Sequence, residues 1–298
     1  METLFSNPSY SAASSPVITP QLRADYSDFA EQVFLKTGID LRLYKEAQML
    51  RRLYNLVERA GCVTFREYGK QLERDPAELQ VLLDRMTINV SELFRNADKW
   101  KELQEQILPS LLQHRLSLKL WSAGCSNGAE PYSLMILLDL LKPNQTHTLY
   151  ATDLDQNILK RAREGRFTKN EIASIGDEKS EPYFSLVNSP SPSFRYDASP
   201  LYEIKPRFRE RVQFRCQNLL ADEFESDYDL ICCRNVVIYF TEEAKERLYR
   251  RFFDALAPGG YLFVGGTERI FHYGRMGFEM PLPFFYRKPL RGETRDER

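Results

Sequence analysis

Apolar residues recur at helical spacing in the first third of the chain, after an N-terminal stretch that holds few of them. Residues 1–24 are rich in Ser, Pro and Ala, a composition that buries little surface, so a disordered tail is predicted there. From residue 25 to 88 the apolar positions form stripes typical of helices. The stripes are Phe29, Val33 and Phe34, followed by Leu43, Ala47, Leu50, Tyr54 and Val57. This spacing predicts an N-terminal all-helical domain.

From about residue 118 the rhythm changes to short apolar runs that alternate with amphipathic segments. The runs predicted as strands are LKLWSA, HTLYATD, VQFRCQN, YDLICC and GYLFVG, and the closing FEMPLPFFYRK predicts an antiparallel hairpin. Strands that alternate with helices predict an α/β fold with a doubly wound, mostly parallel sheet. We therefore predict this domain over 101–290, a linker over 89–100, a Pro-rich inserted β-subdomain over about 180–211 and a tail over 291–298.

Composition and charge narrow the possible functions. Lys and Arg total 41 and Asp and Glu total 42, for a net charge of -1, which argues against binding nucleic acid by bulk charge. The five cysteines and three histidines lack the spacing of metal ligands, so no metal is predicted. Neither a signal peptide nor an apolar run long enough to span a bilayer is evident. We expect a cytoplasmic monomer that does not insert into membranes.

The first candidate site is the turn after the first predicted strand, where Gly124 and Gly128 flank Cys-Ser-Asn. In a doubly wound sheet the ligand lies beyond the carboxyl ends of the strands, and glycine lets the backbone approach it. The spacing of the two glycines does not fit G-x-G-x-x-G, which weakens a nicotinamide interpretation. Taken alone, the turn is equally typical of an ordinary strand–helix connection.

Two later strands end in residues suited to a nucleoside. Asp153 ends the second strand, where a carboxylate can accept hydrogen bonds from both ribose hydroxyls, while Asp155 is better placed as a helix N-cap. A capping role is also the alternative for Asp153. After the third strand, Asn218 could bond an adenine edge and Leu219 pack on its face. The alternative is a turn asparagine followed by core leucines.

The strand YDLICC runs directly into Arg234 and Asn235. A charged residue at the carboxyl end of a central strand needs a partner, which an anionic ligand could supply. The alternative is a salt-bridged structural arginine. In the segment that joins the two domains, Asn89 and Ser91 could close over a ligand and Arg95 could pair with a carboxylate. The alternative for that segment is a helix start with Ser91 as its N-cap.

A basic stripe marks one predicted helix of the N-terminal domain. Lys45, Arg52 and Arg59 are seven residues apart and therefore share a helix face, with Arg51 beside it. Such a face suits an acidic protein surface. An ordinary solvated face is the alternative.

Several motifs occur along the chain in the order typical of one family. They are YKEAQ from Tyr44, MTINVSELFR from Met86, WSAGCSNGAEPYS from Trp121, ATDLD from Ala151, NLL from Asn218 and CRNVVIYF from Cys233. From about residue 25 to 288 the chain resembles the chemotaxis receptor glutamate methyltransferase family (CheR). The resemblance implies S-adenosylmethionine as methyl donor, S-adenosylhomocysteine as product, and an S-adenosylmethionine-binding Rossmann-like domain. The cofactor contacts it implies are Asn89, Ser91, Arg95, Glu130, Asp153, Asn218, Leu219, Arg234 and Asn235.

The resemblance also implies a substrate and a docking face. The substrate would be glutamate side chains in the cytoplasmic helical domain of chemotaxis receptors, and the basic helix would dock on that domain. A glutamate carboxylate has a pKa of about 4.3 and is already a nucleophile at neutral pH, so no general base is needed. Arg234 and Tyr239 are the candidates for orienting it. The alternatives are a same-fold methyltransferase with another substrate and a signalling scaffold that binds an adenosyl ligand without turnover.

Overall fold

The computed structural model describes residues 17–87, 91–176, 180–188, 199–290 and 292. The chain divides into two compact units, Met1–Met86 and Thr87–Arg298. None of the described helices combines the length and the apolar character needed to cross a membrane.

The first unit is all-helical. Its helices are α1 (Pro20–Thr37), α2 (Glu46–Arg59), α3 (Phe65–Arg74) and α4 (Pro76–Met86), with a short 3-10 turn at Leu41–Leu43. The prediction of a disordered tail over 1–24 is wrong at its end, because α1 already begins at Pro20. Thr19 caps that helix by accepting a hydrogen bond from the N–H of Leu22, and proline at the first turn loses no helical bond.

The apolar stripe predicted for α2 also needs correction. Ala47 is exposed and Tyr54 is only partly buried. Leu43 set the predicted phase, but it lies in the 3-10 turn, and the α-helical spacing restarts at Glu46. The residues that α2 buries are Met49, Leu50, Leu53, Leu56 and Val57.

The described residues of the second unit form ten strands in two sheets. They are β1 (Lys119–Ala123), β2 (Thr148–Asp153), β3 (Arg166–Phe167), β4 (Phe184–Val187), β5 (Leu201–Ile204), β6 (Val212–Cys216), β7 (Tyr228–Cys233), β8 (Leu256–Val264), β9 (Glu279–Leu282) and β10 (Phe285–Arg287). The large sheet has seven strands in the order β6-β2-β1-β7-β8-β10-β9, and the small one has the order β3-β5-β4. Strands β6, β2, β1, β7 and β8 are parallel, and β10 is antiparallel to its neighbours. The predicted α/β fold, a doubly wound and mostly parallel sheet with a small β-subdomain, is confirmed.

Helices connect these strands. They are α5 (Ala97–Glu102), a π-helical turn (Leu103–Ile107), α6 (Leu108–His114), α7 (Ala129–Leu141), α8 (Gln156–Glu164), the short helices Lys169–Ile172 and Pro206–Arg209, and the helix Glu242–Ala255. Helix α5 begins inside the range predicted as a linker, 89–100. Helix α7 begins at Ala129, and Pro131 lies in its first turn, where the missing N–H costs no helical hydrogen bond. The inserted range 180–211 contributes β4 and β5, and residues 189–198 lie outside the described part of the chain.

The core of the second unit lies between the large sheet and its helices. Leu120, Leu230 and Phe263, from three adjacent strands, are fully buried. Because β2, β1, β7 and β8 run parallel, they all end at one side of the sheet, which we call the carboxyl edge. The loops that leave this edge carry the candidate site.

Candidate functional site at the carboxyl edge

The loop after β1 folds back onto the end of β2. The N–H groups of Gly124 and Cys125 both donate to the carbonyl oxygen of Thr152, at 2.8 and 2.9 Å. Gly124 has a φ of 82°, and a Cβ at this position would lie 2.4 Å from Cγ2 of Val236. Only glycine fits here, because its backbone packs directly against the Val236 side chain.

Asp153 is held beside this loop. Its Oδ2 accepts the N–H of Ser126 at 2.8 Å, and its Oδ1 accepts the N–H of Asp155 at 3.0 Å. The side chain is 9% exposed, and burial raises its pKa to about 6 although the backbone N–H groups act in the opposite direction. Each carboxylate oxygen has lone pairs beyond the one used by the backbone. Asp155, as predicted, caps α8 through the N–H groups of Asn157 and Ile158.

Arg234 lies at the end of β7 and is 7% exposed. Its Nη2 donates to the carbonyl oxygen of Arg95 at 2.6 Å and to Oδ1 of Asn96 at 3.2 Å. Its Nη1 lies 3.6 Å from Oε2 of Glu130. The guanidinium also stacks on Phe263, 4.6 Å from the ring centroid. With its charged end engaged by protein groups, Arg234 fits the structural alternative better than a role in orienting a substrate carboxylate.

Glu130 is the second carboxylate of the site. It sits in the first turn of α7, is 9% exposed and accepts the hydroxyl of Ser122 through Oε1 at 2.7 Å. Burial raises its pKa, and Arg234 and the Ser122 hydroxyl oppose that shift. Glu130 and Asp153 therefore lie at the ends of adjacent connections of the same edge, where a cationic group of a ligand would find an acceptor.

The segment Ser91–Asn96, which we call the strip, contains no regular element, turns at Leu93 and Phe94, and has left-handed backbone at Phe94 and Asn96. Phe94 donates its N–H to the hydroxyl of Ser133 at 3.0 Å, and the Arg95 carbonyl accepts the indole N–H of Trp100 at 3.0 Å. Helix α5 starts only at Ala97, so the alternative with Ser91 as a helix N-cap is wrong. Asn89 lies outside the described residues.

Asn127 is a site residue that sequence reasoning missed. It is fully buried, and its Nδ2 donates to the carbonyl oxygen of Ser91 at 3.2 Å and to Oε1 of Glu171 at 2.8 Å. Its Oδ1 accepts the N–H of Ala129 at 3.1 Å. One amide thus ties the glycine loop, the start of α7 and the strip Ser91–Asn96 together. The only signal in the sequence was its place between two glycines.

Glu268 is the second missed residue. It is 4% exposed, and its Oε2 accepts the N–H groups of Asn235 at 2.6 Å and of Gly265 at 2.8 Å. Asn235 has a φ of 61°, a left-handed conformation that this carboxylate holds in place. Tyr239 follows on the 3-10 turn Val237–Tyr239 and is partly exposed. A glutamate after Gly-Gly-Thr carries no signature that could have found it.

Asn218 and Leu219 follow β6. The Oδ1 of Asn218 accepts the N–H of Leu220 at 3.0 Å, which is the turn role given as its alternative, and Leu219 is 7% exposed. The NH2 group of the Asn218 side chain can still donate to a ligand, because this bond uses only the amide oxygen.

The basic residues of α2 belong to the other unit. Lys45 and Arg52 are partly buried, whereas Arg51 and Arg59 are exposed. Arg52 donates from Nη1 to the carbonyl oxygen of Met86 at 2.6 Å, so part of its guanidinium closes the end of α4.

The groups at the carboxyl edge fit S-adenosylmethionine by their chemistry. Asp153 offers acceptors for a ribose diol, and Glu130 offers a carboxylate for the amino group of an amino-acid end. The Nε of Arg234 is buried without a hydrogen-bond partner among the described residues, so a polar ligand atom could satisfy it.

Known proteins support the same assignment. Residues 24–87 match the family model "CheR methyltransferase, all-alpha domain", and residues 89–280 match "CheR methyltransferase, SAM binding domain". The chain is 38% identical over 270 residues to the chemotaxis protein methyltransferase of Listeria innocua, covering 90% of this chain and 99% of that protein. It is 32% identical over 261 residues to chemotaxis protein methyltransferase 1 of Pseudomonas aeruginosa, covering 83% and 90%. Among solved structures, PKMT2 of Rickettsia typhi in complex with AdoHcy matches at 16% identity and a TM-score of 0.30, over 50% of this chain and 21% of that one.

Proposed function

This chain belongs to the CheR methyltransferase family, and from that premise we propose that it methylates glutamate carboxylates in the cytoplasmic helical domain of chemotaxis receptors. It is an S-adenosylmethionine-dependent methyltransferase. The observation that carries the cofactor part of the proposal is the buried Asp153 carboxylate, fixed by two backbone N–H groups beside the glycine loop, and the receptor substrate is inferred from the names of the relatives. We extend the proposal to a monomer that works in the cytoplasm.

The ligand contacts follow from the chemistry of each group. Asp153 would hold the ribose hydroxyls, and Asn218 with Leu219 would hold the adenine. Arg95 and Glu130 would hold the carboxylate and the ammonium group of the methionine part. Asn89, Ser91, Gly124 and Asn235 would complete the cofactor site. When bound, S-adenosylmethionine supplies an electrophilic methyl group on a positively charged sulfur.

The protein's own task is to orient the incoming glutamate. At neutral pH the substrate carboxylate is ionised, so alignment rather than proton removal limits attack, and alignment can lower a barrier by roughly 7–11 kcal/mol. An arginine paired with that carboxylate would stabilise it before reaction and slow attack. Because Arg234 is engaged by protein groups, we assign the orienting contact to the Tyr239 hydroxyl and a positioning role to Arg234.

Substitution of Tyr239 tests that assignment. Tyr239→Phe should lower kcat roughly tenfold, the value of a lost hydrogen bond of about 1.4 kcal/mol, with the affinity for S-adenosylhomocysteine unchanged. Tyr150→Phe, at a partly exposed tyrosine of β2, is the matched control. An unchanged kcat in Tyr239→Phe would remove the tyrosine from the mechanism.

Receptor docking is proposed for α2. Lys45, Arg51 and Arg59 form the basic surface together with Arg52, whose Nη1 also donates to the Met86 carbonyl oxygen. Opposite charges steer association and fix register, so replacing this set should lower the association rate at low ionic strength.

The activity itself is tested with labelled S-adenosylmethionine and receptor-containing membranes. Label that mild base releases as methanol from the receptor band would establish carboxyl methylation, because methyl groups on amines survive that treatment. Tight binding of the cofactor without transfer would instead favour the scaffold. Base-stable label would favour a different substrate.

A further inference from the structure

The loop Gly265–Phe278 leaves β8 at the carboxyl edge and presents an aromatic side chain to solvent. Phe271 is 72% exposed, although burial of a phenylalanine side chain typically contributes about 1.5–3 kcal/mol to stability. Aromatic residues are enriched in the buried centres of protein–protein interfaces, so an exposed phenylalanine on a loop at the carboxyl edge is a candidate contact.

The loop is attached to the core before and after Phe271. Ile270 is 2% exposed and donates its N–H to the hydroxyl of Tyr286 at 2.9 Å. Phe278 is 3% exposed and donates its N–H to the carbonyl oxygen of Tyr273 at 3.1 Å. Phe271 therefore directly follows a buried, hydrogen-bonded residue, and the loop returns to the core at Phe278.

Glu268 connects this loop to the reaction site. Its carboxylate accepts the N–H of Asn235 from the turn after β7 and the N–H of Gly265 from the loop itself. A Cβ at Gly265 would lie 2.4 Å from the Glu268 Oε2, so this hydrogen bond leaves no room for a side chain at position 265. Phe271 follows Glu268 by three positions in the same loop, and Glu268 is bonded to the turn after β7.

The exposed face of the loop is cationic. Arg269, His272 and Arg275 are all exposed. Glu268 is the one acidic side chain between Gly265 and Phe278, and it is buried. An aromatic centre with arginines around it is the composition typical of binding hot spots, and its charge complements an acidic partner.

We propose that Phe271, Arg269 and Arg275 form a substrate-docking surface for the acidic segment that carries the methyl-accepting glutamate. This inference rests on the proposed function and names the contact that the site makes with its protein substrate. Phe271 packs on an apolar side chain near the target glutamate, and the two arginines pair with neighbouring carboxylates. Residues three or four apart on a helical substrate lie on the same face. One docking event can therefore present the apolar side chain and the neighbouring carboxylates together.

The test uses the full chain and a purified cytoplasmic receptor fragment, with methyl esters scored as base-labile methanol. Phe271→Ala should raise KM for the fragment about tenfold, as expected for a central aromatic contact, with kcat within about twofold. The double variant Arg269→Ala/Arg275→Ala should raise KM roughly fivefold at low salt and weaken its salt dependence. The affinity for S-adenosylhomocysteine should stay unchanged in both.

Matched controls lie at the opposite edge of the sheet. Leu116 is 89% exposed just before β1, and Lys142 is an exposed cation at the end of α7. Leu116→Ala and Lys142→Ala should leave KM unchanged. Binding of each variant to anionic phospholipid vesicles is measured in parallel.

Each outcome decides one claim. An unchanged KM in the loop variants, with wild-type esterification intact, overturns the docking surface but leaves the proposed function standing. Loss of vesicle binding without a change in KM assigns Phe271 to membranes and also overturns the inference. Absence of methyl ester with the wild-type enzyme overturns the proposed function, and the substrate named here falls with it.

Discussion

Asp153 and Arg234 end strands on either side of β1, and both are charged and almost buried. Asp153 is held by two backbone N–H groups, which fix its direction and leave acceptor capacity for a ligand. Arg234 is held by Glu130, Asn96 and the Arg95 carbonyl, groups that themselves need a cation or a donor. The same edge thus carries one group prepared for a ligand and one that braces the site.

The difference shows that position at the carboxyl edge does not by itself identify a ligand contact. A residue that supplies the charge or the hydrogen bonds that its buried partners need belongs to the scaffold. Its removal leaves those partners buried and unpaired. A residue that only backbone groups orient can bind a ligand, and its substitution should affect ligand binding without disturbing the fold. The predictions below test that division.

Arg234→Met should produce the largest effect, and it should appear in stability. It would leave the buried Glu130 carboxylate without its cation, a loss that typically costs about 3–5 kcal/mol. Urea unfolding measures the change, and Arg250→Met is the control, since Arg250 forms an exposed pair with Glu246 that should contribute less than about 1 kcal/mol. Full stability with lost activity would show that Arg234 contacts the ligand directly, as proposed for Asp153, and would contradict its structural role.

Asp153→Asn should affect binding and spare the fold. A hydrogen bond to a charged group contributes about 1.5–3 kcal/mol, so affinity for S-adenosylhomocysteine should fall about 10- to 100-fold. Calorimetry measures the affinity, and Asp155→Asn, which keeps a capping side chain, should bind normally. Normal binding by Asp153→Asn would show that the carboxylate is only a loop cap.

Asn127→Ala should weaken both stability and binding, since Asn127 serves the scaffold and the strip Ser91–Asn96 together. It leaves buried partners unsatisfied, at a cost of about 1–3 kcal/mol. Unfolding and calorimetry on the same samples measure the two effects. Asn170→Ala, at an exposed asparagine of the helix Lys169–Ile172, should change neither. A loss of binding without any loss of stability would place Asn127 in direct contact with the ligand.

The smallest effect is a pH dependence. The Asp153 pKa is raised from 3.8 to about 6, and ribose hydroxyls donate to the ionised form. Affinity should therefore decrease as pH falls below about 6, towards the limit that Asp153→Asn sets. The free energy of unfolding depends on pH in the opposite direction, because the folded state binds the extra proton. The contribution of Asp153 to that free energy decreases as pH rises from about 4 to about 6. Both slopes should vanish in Asp153→Asn.

Much of the fold followed from local patterns. The run YDLICC coincides with β7, because its mostly apolar residues form one continuous buried strand. The phase of α2 was wrong because a 3-10 turn precedes it. The tail prediction failed at Pro20 because a single capping threonine outweighed a Ser- and Pro-rich composition.

The site was less predictable than the fold. Motif order placed Asp153, Glu130 and Arg234 at one edge, since parallel strands end together. The roles of Asn127 and Glu268 depend on which backbone N–H and C=O groups meet across distant loops, and no local spacing encodes that. The structural role of Arg234 depends likewise on Glu130 and the Arg95 carbonyl, more than a hundred positions earlier in the chain.

A crystal structure of the complex with S-adenosylhomocysteine tests the contrast most directly. We predict both ribose hydroxyls within hydrogen-bond distance of the Asp153 carboxylate, and the Arg234 Nη2 still bonded to the Arg95 carbonyl. A ribose bound away from Asp153, or an Arg234 guanidinium turned from Glu130 onto the ligand carboxylate, would contradict the account.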